Sequence, residues 1–163
     1  MALRPDRNEH LTDLSYFMNE TAERGIVVIH DTGGSGSAMD DSSAKVKKPT
    51  AGASVSGTEP AGLLLNDVVN LDLTRQHLNY AKDEVQQGSK VLLLRRGTVV
   101  TDQVSGTPTI GADAFLCAAG TVSATAQNGV LLNANGGIAT PKIGKFLSVK
   151  DADGFAKIEI NIT

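Results

Sequence analysis

The sequence contains one cysteine, no tryptophan and few aromatic residues, which make up 4% of its 163 residues. The lone Cys117 cannot form a disulfide within the chain, and its apolar neighbours in "ADAFLCAAG" indicate a buried thiol rather than a nucleophile. Four Phe and two Tyr are too few to build the stacking platform that single-stranded nucleic acids need. The core must therefore consist largely of Val, Ile and Leu, a composition that favours β-sheets.

Strong charge and long apolar runs are also missing. The formal net charge is −3 and the basic residues are scattered, so we do not expect binding to nucleic acid through phosphate neutralisation. No apolar run reaches the length of about eighteen residues that a membrane span needs, and the N-terminus "MALRPDRNEH" has no hydrophobic signal core. We expect a soluble protein made in a cytoplasm, without membrane or nucleic-acid partners.

The first part of the chain, residues 1–24, is polar and has little to fold around, which predicts an N-terminal arm. Its larger apolar residues are spaced to suit one face of a short helix, or an arm lying on another surface: Leu11, Leu14, Phe17 and Met18. Thr12 could cap such a helix and Gly25 could end it. The arm is therefore predicted to carry either a short helix over 12–24 or an extended segment.

The remainder, residues 25–163, is predicted to form a β-rich body that includes a long loop. Residues 32–61 consist mostly of Gly, Ser, Ala, Thr and Pro. Such a segment cannot bury enough apolar surface to offset an ordering cost of about 1–2 kcal/mol per residue, so it predicts a flexible, Gly/Ser-rich loop.

Short apolar runs separated by turn residues follow this loop. Two runs around Arg96 and Gly97 predict a hairpin or sharp bend, and a tight turn at Asp153 and Gly154 precedes a final half-buried strand. That strand alternates, with one apolar face made of Ala156, Ile158, Ile160 and Ile162. The predicted fold is mainly β, a small β-barrel or β-sandwich with an extended N-terminal arm and at most one or two short helices, of which "TRQHLNYAKDEVQQG" is the second candidate.

The Asp-Thr-Gly tripeptide at 31–33 is the motif that carries the catalytic aspartate of aspartic proteases. His30 stands where that motif requires an apolar residue, and the nearest bracing segment, Lys-Ile-Gly at 142–144, lacks its first apolar residue. A histidine beside the dyad would also disturb the proton that two close carboxylates share. We therefore interpret Asp31 as the end of the strand "GIVVIH", with the protease as a remote alternative.

Other chemical motifs also fail at their second requirement. "TGGSGS" precedes no helical pattern and contains no Gly-Lys-Ser, so it does not predict a phosphate-binding loop. "DADG" at 151–154 would place Ile162 where a calcium loop needs its glutamate, and His10, His30 and His77 lack metal-ligand spacing. We predict no catalytic, cofactor-binding or metal-binding residues, and hence an interaction protein rather than an enzyme.

Several segments together resemble the head decoration, or cement, proteins of tailed bacteriophages. They are "LTDLSYFMNETAERG", "AGLLLNDVVNLDLTRQHLNYAKDEVQQGSKVLLLRRGTVVT", "GTPTIGADAFLCAAG" and "GKFLSVKDADGFAKIEINIT". The resemblance implies a virion protein on the capsid exterior that binds the major capsid protein and clamps neighbouring capsomers. It also implies a homo-oligomer, more often a trimer than a dimer, although other decoration proteins bind as dimers or monomers.

For this function, the apolar residues of the arm are the candidates for capsid contact, together with the arginine and proline near its start. The predicted set is Leu3, Arg4, Pro5, Leu11, Leu14, Tyr16 and Phe17. An alternative from a different class is another virion part, such as a tail or fibre-adaptor subunit with an exposed loop.

Overall fold

A computed structural model of the chain describes residues 3–31, 45–49, 59–68, 84–117, 121–123 and 141–162. These residues form thirteen strands, and no helix occurs among them. The strands are β1 (Asn8–Asp13), β2 (Phe17–Met18), β3 (Ala22–Glu23), β4 (Val27–His30), β5 (Lys45–Lys47), β6 (Pro60–Val68), β7 (Glu84–Val85), β8 (Lys90–Thr101), β9 (Val104–Ser105), β10 (Asp113–Leu116), β11 (Val122–Ser123), β12 (Lys142–Phe146) and β13 (Ala156–Asn161). Hence the described residues contain no helix that could span a membrane.

The long strand β8 organises an eleven-stranded sheet that includes a closed five-stranded β-barrel. Residues 96–101 of β8 pair with β13, and residues 90–94 pair with β6 along the same edge. The opposite edge pairs with β1, because Thr98 is opposite both Asn8 and Glu159. The predicted mainly β fold with a barrel is therefore confirmed, and the arm is its added edge strand.

Two hydrophobic cores lie on opposite faces of β4, β6 and β8. The main core is the larger and contains fully buried side chains such as Leu63, Leu94, Val99, Phe146, Ile158 and Ile160. The second core lies behind the sheet and contains Met18, Val28, Val46, Leu64, Val85 and Leu93. Adjacent residues such as Leu93 and Leu94 therefore lie in different cores, Leu93 in the second and Leu94 in the main core. Because both faces of these strands are buried, their sequences are nearly continuous apolar runs.

The predicted hairpin at Arg96 and Gly97 is wrong, because β8 continues through both residues for twelve residues in all. Gly97 has a φ of 151°, and a Cβ there would collide with the backbone oxygen of Asn8. At this position glycine therefore allows two backbones to approach closely, and it does not form a turn.

The short helix considered for residues 12–24 does not form, since β1, β2 and β3 occupy this segment. Its apolar residues do not share a face: Met18 is buried in the second core, whereas Leu11 and Leu14 are exposed. Pairing of the segment with β8 and β5 satisfies its backbone in place of helical hydrogen bonds. The arm is extended.

The interpretation of residues 32–61 as one loop does not hold for its described parts. Residues 45–47 form β5, whose Val46 is fully buried, and β6 begins at Pro60. Residues 32–44 and 50–58 lie outside the described residues, as does most of the helix candidate at 74–88, although Glu84 and Val85 form β7.

Two further predictions are confirmed. Cys117 is a free, buried thiol, and the apolar face of β13 is buried as its alternation predicts. The turn before β13 is tight: Gly154 has a φ of 89°, and its amide donates to the carbonyl of Asp151 at 3.0 Å.

Candidate functional site

The arm segment, defined here as residues 3–13, runs along one edge of β8 in antiparallel register. Asn8 is opposite Thr98 and Asp13 is opposite Leu93, and Leu3 forms an isolated bridge to Thr101. Irregular pairing on either side of Leu11 marks a β-bulge. All side chains of β1 before Asp13 are exposed, so backbone hydrogen bonds and not core contacts hold this strand.

A polar tether fixes the start of the arm segment to the turn before β13. The Arg4 guanidinium lies 3.1 Å from carboxylate oxygens of both Asp151 and Asp153, and its central carbon lies 4.2 Å from the centroid of the Phe155 ring. Nearby, the Lys157 ammonium lies 3.4 Å from the Asp6 carboxylate. The carboxylate of Asp151 also accepts hydrogen bonds from the amides of Asp153 and Phe155. The "DADG" turn thus serves as an anchor for the arm.

The other end of the arm segment meets the body at Asp13. Ser15 donates to the Asp13 carboxylate through its amide and its hydroxyl, and an Arg95 guanidinium nitrogen lies 3.9 Å away. Partial burial alone would raise the pKa of Asp13. The Ser15 hydrogen bonds, with the charges of Arg95 and His30, outweigh that effect and hold the pKa below its usual value.

The predicted capsid-contact residues fall into two groups. Leu11 and Leu14 are 53% and 47% exposed, and Pro5 is also exposed. The others are partly buried against their own body: Leu3 packs on the main core, Arg4 forms the tether, Tyr16 packs on the second core and Phe17 pairs with Lys45 and Lys90. The structure therefore offers Leu11 and Leu14 to a partner more directly than it offers the rest.

A second exposed apolar surface, which sequence reasoning missed, lies at the turns before β10 and after β12. Ile110 is 72% exposed, Leu147 is 41% exposed and Val149 is 54% exposed. The two turns are joined because the Gly111 amide donates to the Phe146 carbonyl at 2.8 Å. We call these three residues the turn patch. An isolated apolar residue inside a Gly- and Pro-rich turn was the available signal in "GTPTIGAD".

A shallow polar groove of about 350 Å³ lies on the outer face of β12 and β13. Its lining residues are Lys142, Gly144, Lys145, Glu159 and Asn161. A hydrogen bond from the Lys142 ammonium lowers the pKa of Asp113 beside it, and burial opposes this effect. The described residues contain no cluster of His, Cys, Asp and Glu suited to a metal ion.

Asp31, the aspartate of the Asp-Thr-Gly tripeptide, lies directly after β4 and bonds to residues of β5 and of the segment after β2. Its side chain is only 6% exposed, and a carboxylate oxygen lies 2.9 Å from the Lys47 ammonium. The Asn19 amide donates to the other oxygen at 2.6 Å. These bonds link the segments after β2 and β4 to β5, a structural role that accounts for Asp31 without catalysis. Of the three histidines in the sequence, His10 is exposed, His30 contacts the Tyr16 ring edge-on, and His77 lies outside the described residues.

The described residues thus form a β-barrel with an extended arm strand and several exposed apolar side chains. Residues 9–161 match the sequence model of the family described as "Structural cement protein (E217 gp24/Pam3 gp6)", a phage cement family. Because this match covers most of the chain, the protein belongs to the phage structural cement family and has a structural role in the virion capsid. A search of curated proteins found no match.

Proposed function

We propose that this protein binds the outer surface of the major capsid protein and clamps neighbouring capsomers. The observation that carries the proposal is the presence of two separate apolar surfaces, Leu11 and Leu14 on the arm and the turn patch on the body. A clamp needs two such surfaces, because each must contact a different part of the shell. Membership of the cement family supports the capsid as the partner.

The two surfaces lie on different sides of β8. Leu11 is on the strand that pairs with one edge, whereas Leu147 follows β12, two strands beyond the opposite edge. Three strand spacings amount to about 14 Å around the sheet. A single residue of the partner therefore cannot contact both surfaces. Two neighbouring subunits of the shell can each contact one of them.

The energy available from these surfaces favours many weak contacts acting together. Complete burial of a Leu, Ile or Val side chain contributes about 1.5–3 kcal/mol, and these five side chains are only partly exposed at the start. Their sum is comparable with the cost of association, so one copy would bind weakly. We expect a homo-oligomer, because linked copies gain from effective concentration. The resemblance to head decoration proteins favours a trimer over a dimer.

Co-sedimentation with empty expanded capsids tests the proposal. We expect Leu11→Ser with Leu14→Ser, and separately Ile110→Ser with Val149→Ser, each to lower the affinity at least tenfold. Lys145→Ser with Glu159→Ser is the matched control, because both residues are exposed but polar. An arm truncation should end at residue 13, since Met18 is 1% exposed and belongs to the body.

Two results would contradict the proposal. If both apolar pairs of substitutions leave capsid binding unchanged while the proteins remain folded, neither surface contacts the shell. If the protein occurs in virions at a low copy number instead of in proportion to the capsid protein, the tail or fibre-adaptor alternative gains support.

A further inference from the structure

We propose that the arm segment is exchanged between copies of this chain, so that residues 3–13 of one copy pair with β8 of the next. In the assembled protein, the edge of β8 that pairs with β1 is then occupied by residues 3–13 of a second copy. This inference concerns self-assembly in solution and does not depend on the proposed binding to capsids.

The arm segment is separable from the body that it covers. Among the described residues, neither hydrophobic core includes a side chain of β1, and only Leu3 of the arm segment packs against the main core. The ion pairs of Arg4 with Asp151 and Asp153 join side chains that are 40% exposed or more, and such ion pairs contribute little. A segment held by edge hydrogen bonds and exposed charges opens locally more easily than a core strand.

The boundary between the movable and fixed parts is sharp. Phe17 pairs with both Lys45 and Lys90, and Met18 donates its amide to the Ser89 carbonyl at 2.9 Å. Met18 is also fully enclosed in the second core. Tyr16 is fixed as well, because it packs on the second core and its carbonyl accepts from the Val91 amide at 3.0 Å. Residues 14–15 therefore form a hinge of two residues, and short hinges favour exchange between copies over closure within one.

The edge of β8 that pairs with the arm segment is complementary to this particular segment. Gly97 leaves room for the Asn8 carbonyl, where any side chain would collide with it. Farther along, Asp151, Asp153 and Phe155 receive the Arg4 guanidinium. A second copy offers the same glycine, the same two carboxylates and the same ring, so it matches the arm without any new contact.

The direction of exchange decides the assembly. Reciprocal exchange between two copies gives a closed dimer, and exchange in one direction closes into a ring when the rotation between copies allows it. In both arrangements β1, which carries Leu11, keeps the same pairing, because it lies against an identical β8.

Cysteine cross-linking of co-expressed chains tests the exchange directly. Asn8 and Thr98 face each other across antiparallel strands, at a spacing that a disulfide can bridge. One chain carries Asn8→Cys with one affinity tag, and the other carries Thr98→Cys with a second tag. The native Cys117 is buried and adds little background. Exchange predicts a disulfide-linked heterodimer that carries both tags, whereas arms that stay on their own bodies leave the two cysteines in separate molecules.

The double variant, with both cysteines in one chain, gives a second measurement. Exchange predicts covalent dimers or trimers on a non-reducing gel, according to whether it is reciprocal or cyclic. Lys145→Cys and Glu159→Cys on separate chains are the matched control, since these exposed residues face each other across β12 and β13 within the body. The proposal is overturned if heterodimers do not exceed this control and the oxidised double variant runs only as a monomer. Because no capsid is used, that result would leave the proposed capsid binding untouched.

Discussion

The guanidinium of Arg4 lies over the ring of Phe155, 4.2 Å from its centroid, although 151 positions of sequence separate the two residues. This contact joins the start of the chain to the turn before its last strand. The same guanidinium also bonds to two aspartates of that turn. These side-chain contacts add to the backbone pairing that holds the first residues of the arm on the body, in which the Arg4 amide donates to the Val100 carbonyl at 3.0 Å.

Replacing Arg4 by alanine should loosen the arm segment without unfolding the barrel. Exposed ion pairs contribute about 0.2–1 kcal/mol each and an exposed cation–π contact about 0.5–1 kcal/mol, so the combined loss is about 1–3 kcal/mol. We expect amide hydrogen exchange in the arm segment to rise by about tenfold, with little change in the core strands. Mass spectrometry of exchanged peptides measures both.

Arg7→Ala is the control for this substitution, because Arg7 pairs with Glu9 inside the arm segment, at 2.6 Å. Arg7→Ala should leave the rate of amide hydrogen exchange in the arm segment close to that of the parent protein. Equal effects of the two substitutions would contradict the role of Arg4 as a tether.

Gly97→Ala should detach the arm segment more effectively than any change on the arm itself. An added Cβ would collide with the Asn8 carbonyl, and the residue would also adopt a strained φ of 151°. Gly106→Ala shares the strain of a positive φ but meets no atom within 4 Å. We expect Gly97→Ala to lower the free energy of unfolding by about 1–3 kcal/mol more than Gly106→Ala, measured by urea denaturation. Equal losses would show that backbone strain, and not crowding against the arm, governs this position.

The contrast between β13 and β8 shows how much of the fold could be predicted from sequence. The alternation of Ala156, Ile158, Ile160 and Ile162 is a local pattern with a period of two, and the burial of one face follows from it. Gly97 was misinterpreted as a turn because its function depends on Asn8, which lies 89 positions earlier. A glycine that admits another backbone and a glycine that turns the chain look the same in one sequence.

The candidate surfaces were predictable to a similar extent. Leu11 and Leu14 were predicted because they are apolar residues in a polar segment, and the structure leaves them exposed. The turn patch was missed since Ile110 and Leu147 become neighbours only when β10 and β12 pair. The short helix over 12–24 was considered because a helical spacing can arise by chance in four residues, and pairing with β8 prevailed over it.

Asp31→Asn should destabilise the fold, which separates a structural aspartate from a catalytic one. The substitution removes the charge partner of Lys47 while keeping the shape of the side chain. Hydrogen bonds to charged groups contribute about 1.5–3 kcal/mol, so we expect a loss of this order in urea denaturation. Lys47→Met should cause a similar loss, and the double variant should lose less than the sum of the two. An Asp31→Asn variant that is as stable as the parent, but has lost a proteolytic activity, would instead support the aspartic protease alternative.

Lowering the pH should weaken the junction between the arm segment and the body through Asp13. Its pKa in the folded protein lies below the reference value of 3.8, so the ionised carboxylate stabilises the fold above that value. This contribution is lost as the pH falls through the lower, folded-state pKa, because the proton then removes the acceptor of the Ser15 hydrogen bonds and the partner of Arg95. Asp13→Asn should therefore make the free energy of unfolding fall less steeply below about pH 4. Ser15→Ala should give an intermediate slope, since it removes the hydroxyl donor and keeps the amide donor. Urea denaturation at a series of pH values measures these slopes, and an unchanged slope in Asp13→Asn would show that Asp13 does not link stability to pH.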